Sequence, residues 1–435
     1  MTTLISGSDR IAPAPFFVPA ATRRISLRLF DIGLALLLVA ITAPLMALLA
    51  FRSLATRGRV LRRERLLGKG GAMIHRHAFA ARGPGRALPA LFDILAGRLG
   101  FVGPRALAPA RLPALPFVAR GRFAVRPGLV SIRDVRQHAG LAYVVDDALD
   151  LEEIPRLGAL YSIGLMLRLG AAALMGGTAT ASSGTRVTLF GVGVANMTMA
   201  EAVGWILRRA SGSAPTNLCF VNADCFNHAA KDAHYRAVLN AADCVLPDGA
   251  GVAMAGKILG TPFAENVNGT DLFPRLCEAL AGTGHSIFLL GAQPGVAETV
   301  ARNMTERIRG LRIAGTRHGY FSPEEEDSVL DEINASGASI LLVAMGAPRQ
   351  EKWLSRHHHR LTPAVRMGVG GLFDFYSERV SRAPLWVREV RLEWVWRLIQ
   401  EPRRMWRRYL LGNGVFLLRL ARDVASMRLG VALRA

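Results

Sequence analysis

SILLVAMGAPRQEKW, residues 339–353, sets the reading of the whole chain. From Ile340 to Met345 it is an apolar run of strand length with no polar alternation, the pattern of a strand covered on both faces. The chain then turns through Gly346-Ala347-Pro348-Arg349-Gln350-Glu351 into a segment of helical character. A buried strand feeding straight into a helix is half of a βαβ unit, and in such folds ligands gather at the carboxyl ends of the strands. Free N–H groups and the helix dipole favour an anion at that turn.

The same unit recurs on both sides. NLCFV (217–221), DCVL (243–246), SIFLLG (286–291), LRIAG (311–315) and VRMGVGG (365–371) are further strand candidates, each separated by helical sequence. RVTLFGVGV, residues 186–194, reads as a β-branched opening run, and Thr198 with Glu201 forms a capping box for the helix after it. Ser322-Pro323-Glu324-Glu325 offers a second capping box, with proline at the first helical position. These elements predict a parallel sheet covered by helices on both faces.

The 435 residues suffice for two or three domains. A composition of 51% hydrophobic and 20% charged residues excludes a disordered chain. The net charge of +21, mostly from arginine, draws the chain toward nucleic acid, anionic lipid or phosphate-bearing substrates. Cys219, Cys225, Cys244 and Cys277 match no zinc spacing and read as reduced core residues. The run IGLALLLVAITAPLMALLAF, residues 32–51, carries no charge and has the length of a hydrocarbon core. Arginines flank it on both sides, which conflicts with a simple crossing, so Pro44 is read as breaking it into a re-entrant hairpin; a single span is the alternative.

Residues 1–22 read as a flexible tail without a secretory signal, and 171–185 as a small-residue linker. From 383 to 435 the chain is rich in arginine and tryptophan. Trp386, Trp394, Trp396 and Trp406 fall at helical spacings that suit a helix at a lipid surface. The triplet His357-His358-His359 points three ways on a helix, so it is read as a solvated basic turn rather than a metal site.

Residues 23–170 resemble the bacterial sugar transferases that place a phospho-sugar on polyprenyl phosphate. The resemblance rests on the apolar segment, RERLLG, LPALFDILAGRLGFVGPRAL and VRPGLVSI. In that family an acidic pair precedes the second of these motifs; here the two places hold Arg86 and Ala87. Neither supplies a nucleophile or a metal ligand, so this half is expected to be a degenerate membrane domain that anchors the chain.

Residues 186–382 with the tail at 383–435 resemble the WecG/TagA/CpsF family, glycosyltransferase family 26. The ordered motifs are VNADCFN, PDGAGV, NGTDLF, FLLGAQPG, HGYF, MGAPRQEKW, GVGGLFDF, SRAP and LEWVWRLIQEPRRMWRRYL. The resemblance implies an α/β fold: a Rossmann-like parallel-sheet glycosyltransferase domain, a mainly helical membrane-associated N-terminal domain and a helical C-terminal appendage. It implies inverting transfer from a UDP-sugar donor to a polyprenyl-diphosphate-linked saccharide acceptor, in exopolysaccharide or other cell-surface glycan synthesis, at the cytoplasmic face of the bacterial inner membrane.

Asp248, in a glycine-bearing loop after DCVL, is the implied general base. The resemblance assigns substrate contacts to Asn222, Asn268, Asp271, Arg349 and Gln350, nucleoside contacts to Tyr320 and Asp374, and the acceptor diphosphate to Arg397, Arg404 and Arg407. No cofactor and no metal are expected. Phe220, where some relatives have threonine, and Asn266, where many have arginine, depart from the pattern. Anionic lipids are expected partners, with a second copy or other glycan-assembly enzymes as further ones, and no nucleic acid. A dehydrogenase is disfavoured because Gly191 and Gly193 lack the third glycine of a dinucleotide fingerprint. The standing alternative is a non-catalytic membrane scaffold of a polysaccharide assembly complex.

Overall fold

The computed structural model describes residues 21–141, 149–175, 184, 186–212 and 214–428. The sequence-read tail thus lies almost wholly outside the described residues, as do residues 176–183 of the linker. The chain forms two compact units, residues 1–137 with 144–172, and residues 138–143 with 173–435.

In the first unit, α1 (Ala21–Arg57) precedes the strands β1 (Leu61–Leu67) and β2 (Met73–Phe79). Then follow α2 (Ala90–Leu95), β3 (Gly100–Val102), β4 (Gly128–Val130), α3 (Ile132–His138), α4 (Leu149–Glu153) and α5 (Ala159–Met175). The hairpin expected at 32–51 is not formed, because α1 runs unbroken for 37 residues with Pro44 inside it. A proline removes one ladder bond, and the alanines and leucines around it are strong enough helix formers to carry the helix through that single loss. One helix among the described residues, Arg24–Arg57, is long and apolar enough to cross a membrane. Helix α5 also runs through the first five residues read as linker. The unit's core gathers Ala35, Ile94, Val135 and Leu165, all fully buried.

Two acids of this unit, Asp93 and Glu64, are tied into ion pairs. Asp93, fully buried, accepts the backbone N–H of His77 at 2.7 Å and the Arg98 Nη2–H at 2.8 Å, and its Oδ1 lies 2.8 Å from His77 Nδ1. Glu64 on β1 holds Arg76 at 2.5 Å and Arg86 at 3.3 Å.

The second unit opens with β5 (Arg186–Leu189) and β6 (Val192–Ala195), an antiparallel pair rather than one strand. Phe190 and Gly191 form its turn with φ of 49° and 76°, so Gly191 serves a hairpin. Helix α6 (Met199–Ala210) starts at the expected Thr198/Glu201 capping box. Next come β7 (Thr216–Val221), α7 (Ala223–Lys231), α8 (Ala233–Ala241), β8 (Cys244–Pro247), α9 (Ala250–Ile258) and α10 (Gly269–Leu280). They are followed by β9 (Ser286–Gly291), α11 (Val296–Arg307), β10 (Arg312–Arg317), α12 (Glu326–Ala335), β11 (Ile340–Ala344) and α13 (Arg349–Arg356). The chain ends with β12 (Val365–Gly368), α14 (Leu372–Tyr376), α15 (Leu385–Glu389), α16 (Glu393–Gln400), α17 (Pro402–Trp406), a π-helical turn (Arg407–Leu411) and α18 (Gly412–Arg428).

Strands β7 to β12 form one six-stranded sheet in the order β10-β9-β11-β12-β7-β8, every pair parallel. Alternation along each strand divides the core. Leu218, Phe220, Leu246, Leu289, Leu342 and Met367 face α6, α10 and α11. Cys219, Val221 and Val245 point to the opposite face with α7, α8 and α9. There too Phe288, Leu290, Leu341 and Val343 pack on α12 and α13. All four cysteines are buried and free. The appendage is stitched to this core, since Phe416 and Leu420 of α18 are buried among Phe226 and Val252.

The histidine triplet needs correction, because only His359 is exposed. His357 is buried with Nε2 3.0 Å from Glu326, and His358 Nδ1 lies 3.1 Å from the buried Arg366. The loop that carries them folds back over β12, and the Arg366 guanidinium donates to its carbonyls at His358 (2.7 Å), Leu361 (2.6 Å) and Pro363 (3.1 Å).

Candidate active site

A cavity of about 1120 Å³ opens at the carboxyl ends of the second unit's strands. The residues that directly follow β7, β8, β9, β11 and β12 all reach it: Asn222, Asp248, Ala292, Met345 and Val369. This is where a parallel α/β sheet leaves its free strand ends and helix starts.

Asp248 follows β8, its backbone N–H held by Val221 O at 2.9 Å. Gly249 after it adopts a φ of 91°, a turn that a side chain resists, and donates its N–H to Asn266 Oδ1 at 2.8 Å. The Asp248 side chain is half-buried at the cavity wall. Burial, then the facing Glu393 and Asp271 carboxylates, push its carboxyl up to about 7, with Arg408 pulling part of the way back. Among the described residues no cation pairs with it directly. A carboxylate of this kind, basic near neutrality and open to a cavity, is suited to taking a proton from a hydroxyl group.

The appendage brings several cations to the cavity lining. Arg397 reaches Asp374 at 3.4 Å and Glu401 at 3.3 Å, and its guanidinium lies 4.7 Å from the Phe375 ring centroid. Arg404 shares Asp374 at 3.5 Å. Asp374 therefore orders two guanidinium groups, a use different from the nucleoside contact expected for it. Arg407 is corrected: it is exposed, lies over the Trp406 ring and does not line the cavity. The π-helical turn starting at Arg407 shifts the helical phase, so Arg408 and Tyr409 face the cavity instead. Arg408 is anchored at 3.3 Å to Asp224.

Asn222 caps α7 through Oδ1, which accepts the N–H groups of Asp224 and Cys225 at 3.1 and 3.2 Å. Its Nδ2 edge is the part left for a ligand. Asn268 caps α10, accepting the Asp271 N–H at 2.8 Å, and donates back to Asp271 Oδ2 at 2.8 Å. Asp271 also binds Arg382 and lies 3.4 Å from Arg388. Both Asn268 and Asp271 line the cavity, yet their polar atoms hold each other and the arginines in place.

Gln350 is 3% exposed, and its amide is engaged by the loops around it. Arg349 is exposed at the cavity lip, and Tyr320 is 65% exposed at the rim, its face free for stacking. Phe220 ends β7 on the cavity floor.

Glu393, Arg408 and Tyr409 also line the cavity, and sequence reasoning did not single them out. Glu393 opens α16 at the cavity, its carboxyl raised by burial and by Asp271 against the pull of Arg382. LEWVWRLIQ carries no local cue that its glutamate turns inward. The phase shift at Arg407 is likewise invisible in an arginine-rich run.

A parallel α/β sheet whose strand ends bring one basic carboxylate against a bank of guanidinium groups defines a group-transfer enzyme for phosphate-bearing substrates. The chain belongs to the glycosyl transferase WecG/TagA/CpsF family, whose model matches residues 187–429, and is a glycosyltransferase. It is 39% identical over 183 residues to the N-acetylglucosaminyldiphosphoundecaprenol N-acetyl-beta-D-mannosaminyltransferase of Bacillus spizizenii, covering 42% of this chain and 70% of that protein. The enzyme of the same name from Bacillus subtilis (strain 168) is 34% identical over 190 residues, 44% of this chain and 73% of the other. That of Staphylococcus aureus (strain MW2) is 30% identical over 244 residues, 55% of this chain and 94% of the other.

Proposed function

We propose that the chain transfers a sugar, with inversion, from a UDP-sugar to a saccharide carried on polyprenyl diphosphate. The observation that carries this reading is the place of Asp248: a carboxyl raised to about 7, at the end of β8, inside a cavity also lined by Arg397, Arg404 and Arg408. Asp248 takes the proton of the acceptor hydroxyl as that oxygen attacks the anomeric carbon. The bond from that carbon to the diphosphate oxygen breaks on the opposite side, and UDP leaves with the electron pair. Guanidinium groups offset the charge that builds on the diphosphates. Tyr320 is suited to stacking on the uracil ring, and Asn222 Nδ2 to orienting the donor sugar. The acceptor follows the relatives, which are named for acting on a diphosphoundecaprenol-linked sugar.

The reaction is placed at the cytoplasmic face of the inner membrane, in cell-surface or exopolysaccharide synthesis. A polyprenyl chain cannot leave the bilayer, so its enzyme must work at the lipid surface. The exposed Leu36, Ile41, Leu48 and Phe51 on α1, and Trp406, Leu410, Leu417 and Leu418 on the appendage, are apolar surfaces suited to that setting. The first unit serves as an anchor that resembles the phospho-sugar transferases without their chemistry, since Arg86 and Ala87 stand where the acidic pair would be.

The test is to incubate the purified full chain with a panel of UDP-sugars and a polyprenyl-diphosphate-linked saccharide, beside Asp248→Asn. Transfer from one donor, lost in the variant, supports the reading. No transfer from any donor favours a scaffold, and full activity in the variant removes Asp248 as base.

A further inference from the structure

Glu351, on the first turn of α13, is 1% exposed and sits beside the buried side chains of Cys219, Cys225 and Tyr235. A carboxyl group in such surroundings is costly, and the stability of the fold alone would favour an apolar residue there. Its Oε2 has no well-formed hydrogen bond, with the Tyr235 hydroxyl beside it poorly placed to make one. The use of the group therefore lies with its other oxygen.

Oε1 accepts the Gln350 Nε2–H at 2.7 Å. Gln350 Oε1 in turn accepts two backbone N–H groups, from Gly346 at 3.1 Å and Gly370 at 2.9 Å. Those amides belong to different loops, one after β11 and one after β12, and both loops wall the cavity. A glutamine amide has two flipped orientations of similar shape, and only one turns its oxygen to both donors. An acceptor on the other side selects that one, and Glu351 supplies an acceptor in either protonation state. The backbone leaves room for the arrangement, since a Cβ at Gly368 would lie 2.9 Å from Gln350 Nε2.

We propose that Glu351 is a positioning residue: by accepting from Gln350 it fixes the amide orientation that ties the loop after β11 to the loop after β12, and so sets the shape of the wall the donor meets. The proposal rests on the reading of this cavity as the site of sugar transfer, but the brace itself can be measured without turnover.

The experiment compares the full-length wild type, Glu351→Leu and Glu351→Gln by amide hydrogen exchange over segments holding Gly346 and Gly370, and by kcat and KM for the UDP-sugar. The leucine variant keeps or raises its melting temperature, exchanges both amides about tenfold faster, and raises KM about tenfold with a smaller change in kcat. The glutamine variant, whose own oxygen can accept the same bond, returns exchange and KM to near wild type. Unchanged exchange in the leucine variant overturns the brace whether or not the chain transfers sugar. A wild type that transfers nothing removes the functional reading, and the exchange result still decides on Glu351. Parallel loss of melting temperature and activity without rescue by glutamine assigns the residue to folding alone and overturns the proposal. Should the leucine variant not fold, Glu351→Met carries the same comparison, and failure of both also overturns it.

Discussion

Two acids, one in each unit, follow opposite rules. Asp93 in the first unit is closed off on all sides, by a backbone N–H, a histidine ring and a guanidinium fork. Asp248 in the second unit is held through its backbone, lines a cavity, and lies within the electrostatic influence of two further carboxylates, Glu393 and Asp271. The first arrangement fixes charge and stabilises the fold. The second raises proton affinity and leaves the oxygen atoms available, which costs stability and suits chemistry. Within the first unit Glu64 is likewise bridged to Arg76 and Arg86, whereas the buried Glu153 is pushed up to about 8, chiefly by burial, and does not line the cavity.

The contrast is broken most strongly at Asp248. Asp248→Asn lowers kcat about 10²- to 10⁴-fold, measured at saturating donor and acceptor. It also changes stability in the unusual direction. The folded carboxyl ionises near 7 and the unfolded one near about 3.9, so its favourable contribution is complete below the unfolded value and is lost as pH rises through 7. Asn cannot ionise, so the variant melts about 2–4 °C above wild type at pH 8 and gains nothing at pH 4.

Asp93→Ala does the reverse. It strips the partner from Arg98 and His77 and destabilises the folded chain by about 3–5 kcal/mol in denaturant titration, while kcat of the molecules that remain folded stays within about twofold. A large loss of kcat there would mean that the first unit takes part in transfer.

Smaller changes sharpen the comparison on the cationic side. Arg397→Ala or Arg404→Ala each raises KM for the acceptor about tenfold to hundredfold, whereas Arg407→Ala, on the outer side of the π-helical turn, changes transfer in detergent less than about threefold. Asp374→Asn loosens both guanidinium groups and weakens acceptor use about twofold to fivefold, less than the loss of either arginine itself. If Arg407 proved more important than Arg404, the placement of the π-helical turn would be at fault.

The sheet was legible because its strands are apolar runs between capped helices: all six of its strands, both capping boxes and the position of Asp248 at a strand end follow from local pattern alone. Only its bounds differ at β10, where the LRIAG strand runs on two residues to Arg317 at the sheet's edge, and at β12, which stops at Gly368. What local pattern does not carry is direction and phase. RVTLFGVGV reads as one strand, yet Phe190-Gly191 folds it into a hairpin. Pro44 reads as a break, yet a helix of strong formers absorbs it. In the arginine-rich tail a single π-helical turn exchanges the faces of Arg407 and Arg408. Gln350 and Asp374 line the cavity as their motifs suggest, but Gly370, Arg397 and Arg404, which they hold, lie 20 or more residues further on, and a motif shows only its own residues.

The central claim is that Asp248 acts as a base whose proton affinity is raised by its setting, and the most direct measurement is kcat/KM for the acceptor between pH 5.5 and 8.5. Rate should fall tenfold per pH unit on the acid side of an apparent pKa near 7, and the residual rate of Asp248→Asn should lack that limb. A wild-type profile that is flat through pH 6, or a variant that keeps the same acid limb, would contradict it.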